Sequence, residues 1–142
     1  MSIVNIRTKL VTALGAITGL KVYPYLPSNP NENVFCYIRY ASVNHQVSYS
    51  NTLSQMSWFV GVMTTIPAGT RFEDAQTLLD TYIDSTGANS VRAAINAITS
   101  SPNALLPDAS HAHLQSANPV KRYIFNGKPY LGVEMPLEVH TV

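Results

Sequence analysis

Thr70-Arg-Phe-Glu-Asp-Ala-Gln-Thr-Leu-Leu-Asp-Thr-Tyr-Ile-Asp-Ser-Thr-Gly87, then Asn89-Ser-Val-Arg-Ala-Ala-Ile95, reads as two capped helices joined by a glycine turn. Thr70 opens the first with a capping box: its hydroxyl accepts from the Glu73 amide while the Glu73 carboxylate reaches back. Phe72, Ala75, Leu78, Leu79, Tyr82 and Ile83 fall on one helical stripe, with Glu73, Asp74 and Asp80 mostly outside it. Gly87 supplies the left-handed residue at the helix end. Asn89 or Ser90 caps a shorter helix that turns Val91, Ala94, Ile95 and Ile98 inward and ends before Ser101-Pro102.

Working outward, Ile3, Ile6, Leu10, Ala13, Leu14 and Ile17 recur at helical spacing, so an N-terminal helix is expected over about residues 3–16, with Gly19 its terminator. Leu20 to Tyr25 is a short β-like run stopped by Pro24 and the turn-rich residues 27–33. Val34 to Ser42 alternates, with Phe35, Tyr37 and Arg39 on one face and Cys36, Ile38 and Tyr40 on the other. Residues 43–54 are polar and suit a long hairpin arm or a mobile loop. Gln55 to Thr65 reads as a central strand, because apolar residues occupy both of its faces.

Residues 102–118 read as a long loop, and such loops are usually functional or mobile. A strand over about 120–126 turns tightly at Asn126-Gly127. In the final strand Leu131, Val133, Met135, Leu137 and Val139 share one face, and Glu134, Glu138 and His140 the other. Pro136 inside it predicts an edge position or a neighbouring bulge, and an open edge asks to be covered by a neighbour. The expectation is one α+β domain over residues 1–142: a largely antiparallel sheet packed by an N-terminal helix and a central helix pair, closed by a C-terminal β-hairpin.

Charged residues make up 12% of the 142, about half the usual share, and nine Lys+Arg against eight Asp+Glu leave a net charge of +1. That balance argues against a basic nucleic-acid reader. Sparse charge also suits a surface occupied by other subunits. No stretch reaches the roughly 20 apolar residues of a membrane span, and no leader pattern is present, so a chain made in the cytoplasm is expected. Cys36, the only cysteine, sits in an apolar run and reads as a buried small hydrophobe.

Catalytic and metal chemistry find little support. His111 and His113 would share a side of an extended segment, but a third ligand is missing. Asp80 and Asp84, four apart, read with Asp74 as a solvated helix face. No serine sits in a Gly-x-Ser-x-Gly elbow, and no glycine run ends in Gly-Lys-Ser/Thr. The expectation is no enzyme, no metal and no cofactor. Lys121, Arg122 and Lys128 form a small basic cluster that could meet an acidic partner surface or DNA phosphate without sequence readout.

Three stretches in order carry a family resemblance: the first helix running into Gly19-Leu-Lys-Val-Tyr-Pro-Tyr25, Ala75-Gln-Thr-Leu-Leu-Asp-Thr-Tyr82, and Gly87-Ala-Asn-Ser-Val-Arg-Ala-Ala-Ile95. With the closing hairpin they cover most of the chain, which resembles the tail terminator (tail-completion, head–tail joining) proteins of long-tailed bacteriophages. The resemblance implies a virion subunit at the head–tail junction, assembled in the host cytoplasm into a hexameric ring. Such a ring caps the tail tube, ends its polymerisation and joins it to the head connector, with DNA passing through the lumen. It implies no catalytic residues. Expected ring contacts are the last strand, through Tyr130, Glu134, Pro136, Glu138 and His140, and the 43–54 segment, through His45 and Tyr49. The alternatives are another neck ring, such as a head-completion or stopper protein, or a small ligand-binding protein.

Overall fold

The computed structural model describes residues 3–28, 30, 32–44, 55–65, 72–84, 87, 89–99, 109–114, 119–125 and 127–141. The element order is α1 (Ile3–Gly15), β1 (Lys21–Tyr23), β2 (Val34–Asn44), β3 (Gln55–Thr65), α2 (Phe72–Ile83), α3 (Val91–Thr99), β4 (Ala109–Leu114), β5 (Lys121–Phe125) and β6 (Lys128–Thr141). This is the expected α+β class: among the described residues there are three helices and a six-stranded sheet, ordered β1-β2-β3-β6-β4, with β5 also on β6. Every pairing is antiparallel except β1 with β2.

The helices cover one face of the sheet. Ile6, Leu10 and Leu14 of α1, Ala75, Leu79 and Tyr82 of α2, and Val91 and Ile95 of α3 pack against Cys36, Ile38, Trp58, Val60, Val62 and the alternate residues Leu131 to Val139 of β6. The stripe read from Ala75 to Tyr82 is thus the buried one. Phe72 belongs to α2, and Thr70 of the expected capping box lies outside the described residues. Ser90 caps α3: its hydroxyl accepts from the Ala93 amide at 3.1 Å and donates to the Asp84 carbonyl, tying the end of α2 to the start of α3. α2 closes at Ile83, earlier than Gly87 suggests. Gly87, at φ 112°, makes the turn into α3 instead, with the Ser90 amide donating to its carbonyl.

Two expectations about strands change. Residues 109–114, read as part of a loop, form β4 against the C-terminal half of β6. The last strand is not an edge: β6 pairs with β3 from Tyr130 to His140, and its other side carries β5 along Lys128–Gly132 and β4 along Leu137–Thr141. Pro136 falls in the four-residue interval between β5 and β4, where no described strand pairs on that side. Pro136 stands opposite Phe59 of β3 with one side of its strand unpaired among the described residues, so the rule that signalled an edge fits locally while the strand as a whole is central. β2 and β3 form a hairpin paired as far as Asn44↔Gln55, with a bulge between Tyr40 and Ser42. Its tip, with His45 and Tyr49, lies outside the described residues. β5 and β6 make the expected tight hairpin, with Gly127 at φ 77°.

Candidate functional site

The second face of the sheet carries no described helix, and two glycines shape it. Tyr37, Gly61 and Glu134 stand in one register row across β2, β3 and β6. A Cβ on Gly61 would lie 2.2 Å from the Tyr37 ring, so the ring lies flat over the glycine. Across it the Tyr37 hydroxyl donates to Glu134 Oε2 at 2.6 Å. Arg39 adds Nε and Nη2 bonds to the same carboxylate at 3.3 and 3.4 Å, with its guanidinium 4.4 Å from the Phe59 ring centroid. Gly132 repeats the device for Met63, whose Sδ would stand 1.9 Å from a Cβ there.

Around this floor sits a second, smaller core of Phe35, Tyr37, Met63 and Tyr130, flanked by Tyr23, Tyr123 and Phe125. Phe35 meets Tyr23, Phe125 and Tyr130 edge-on at 5.2 to 5.8 Å, the favourable arrangement for ring quadrupoles. Burial first, then the hydrogen bond to Glu134 and that carboxylate's charge, hold the Tyr37 hydroxyl well above the usual tyrosine range. It therefore stays a donor. Tyr123 is raised by burial and by the same carboxylate. Further along the face Glu138 Oε1 and His140 Nε2 stand 2.7 Å apart, with His113 opposite Glu138 and His111 opposite His140 in the β4–β6 register. Among the described residues no three His, Cys, Asp or Glu side chains form a group that could hold a metal ion.

The expected contact residues divide by this geometry. Tyr130 is fully buried, and Glu134 is occupied by Tyr37 and Arg39. Neither presents an open strand edge to a neighbour, so the premise of edge pairing through this strand is withdrawn. Pro136, Glu138 and His140 are half-buried on the helix-free face. Lys121, Arg122 and Lys128 are exposed but do not converge: Lys121 and Arg122 alternate sides of β5, and Lys128 stands four register positions from Lys121. Cys36 is fully buried in the main core, and burial raises its thiol far above the usual range.

Sequence reasoning missed the roles of Tyr37 and Arg39. Gly61 in an otherwise bulky strand was the available signal, since a strand-interior glycine marks a close approach.

On the helix layer, a cleft of about 370 Å³ between α1 and α3 is lined by Thr8, Thr12, Ala13, Ala94, Ala97 and Ile98, among others. Compared with family models and with curated proteins, the chain matches none of either.

Proposed function

We propose that this chain is a structural subunit of the tail terminator type, forming a ring at the head–tail junction of a long-tailed phage that caps the tail tube and joins it to the head connector. The observation that carries the reading is the ordered run of three resembling stretches. In the fold they become one scaffold: α1 leads into β1, and α2 and α3 lie with α1 on the same face of the sheet. Sparse charge adds support, because an interface core is depleted in charged residues. A map of the assembled particle tests the assignment. A ring seated on the end of the tail tube supports it; density on the portal side of the connector assigns the chain to a different neck ring.

The cleft between α1 and α3 favours a second reading, a small ligand-binding protein, because about 370 Å³ is the size of a small-molecule site. Native mass spectrometry separates the two. A monomer retaining a small molecule supports this second reading and counts against the ring.

A further inference from the structure

Arg7 of α1 lies between two aromatic rings, its guanidinium 4.4 Å from the Tyr25 centroid and 5.1 Å from that of Trp58. Its Nε is buried without an acceptor, and so is the indole Nε1 of Trp58, whose side chain is fully buried. Arg7 as a residue is only partly buried, so a carboxylate from outside the subunit can still approach its charge.

The surroundings have the make-up of an interface centre. Val4 is 66%, Tyr25 61%, Leu26 51% and Tyr40 38% exposed, four of the five exposed large hydrophobic residues described. Val4 is one helical turn from Arg7, Tyr25 covers the guanidinium, Leu26 follows it, and Tyr40 meets Trp58 edge-on at 5.5 Å. Arginine and tyrosine anchors framed by apolar residues are typical of residues that dominate binding.

The complementary surface is on the same chain. α2 carries Glu73 and Asp80 seven residues apart on one helical stripe, and Asp84, just past the helix end with its amide donating to the Asp80 carbonyl, continues it. All three are exposed, none enters an ion pair among the described residues, and α2 has no basic residue of its own. The stripe and the Arg7 patch lie on different elements, so two unlike surfaces of one subunit would meet in a head-to-tail contact, the kind that closes into rings.

We infer that the Arg7–Tyr25–Trp58 patch is one half of a subunit interface whose occupant is the Glu73–Asp80–Asp84 stripe of a second copy of this chain. This rests on the ring reading and names its contact. The test is sedimentation and native mass spectrometry of the full chain. Tyr25→Ser changes a largely exposed ring, and Asp80→Arg an exposed carboxylate, so both variants are expected to fold as the wild type does, checked by circular dichroism. Each should weaken association by roughly 30-fold or more, the size of a dominant contact. Arg7→Glu should do the same, and Arg7→Glu combined with Asp80→Arg should restore at least part of the assembly. Folded variants that assemble like the wild type overturn the inference while leaving the ring reading intact. Loss on the Arg7 side alone, with α2 variants unaffected, overturns the choice of occupant. A wild-type chain that stays monomeric at every concentration overturns this contact, and the ring reading is then decided separately by the map of the assembled particle.

Discussion

Gly61 lets Tyr37 lie flat because it has no side chain, and that posture carries the hydroxyl across β3 to Glu134. Gly61→Ala is therefore expected to displace the ring and lower stability by about 1–3 kcal/mol, the usual cost of overpacking. Tyr37→Phe, which keeps the ring and removes the donor, should cost about 1.5 kcal/mol, since Arg39 still serves the carboxylate. Urea titration of both and of the double variant checks the coupling. Additive losses would mean that the glycine and the hydrogen bond are independent.

Titration offers a second check at this scale. The folded-state values of the Cys36 thiol and the Tyr37 hydroxyl lie above their ordinary 9.0 and 10.0, so the unfolded chain releases protons that the folded chain keeps. Their contribution is intact below about pH 9 and is lost as pH rises beyond it, with a slope of up to ~1.4 kcal/mol per pH unit for each group. Denaturant midpoints should accordingly fall from pH 9 upward, and Cys36→Ala should flatten the first part of that fall. Ellman's reagent should label Cys36 only after denaturation; rapid labelling of the folded protein would contradict its burial.

At the scale of elements, the central place of β6 decides how the sheet holds together. Amides of β6 paired with β3 should be among the slowest to exchange with deuterium, and those of the three-residue β1 among the faster ones. Fast exchange along Leu131–Val139 would restore the edge position that Pro136 suggests. Ser90→Ala should cost about 1–2 kcal/mol, because it removes the α3 cap and the tie to α2 together. The helices were legible because Leu79, Tyr82, Val91 and Ile95 announce their buried stripe by spacing. β4 was not, because Ala109-Ser-His-Ala-His-Leu114 alternates only Ala112 and Leu114 against histidines, too weak a period-2 signal in residues that do not favour strands. Pro136 misled because sequence shows a missing N–H but not which side of a strand it faces. The Tyr37–Gly61–Glu134 row joins three strands, and that register is set by tertiary pairing.

At the scale of the molecule, the claim is that this domain works by assembling. The helix layer supplies a rigid scaffold, the small aromatic core stiffens the opposite face, and the helices carry two unlike patches, acidic residues along α2 and an aromatic-framed arginine on α1. Two unlike patches on one subunit favour a closed or extended head-to-tail oligomer over a two-fold dimer. The most direct measurement is the mass of the purified 142-residue chain by native mass spectrometry across a range of concentrations. One discrete closed oligomer, a hexamer, with few intermediates is expected; a two-fold dimer or a broad ladder of sizes would contradict it.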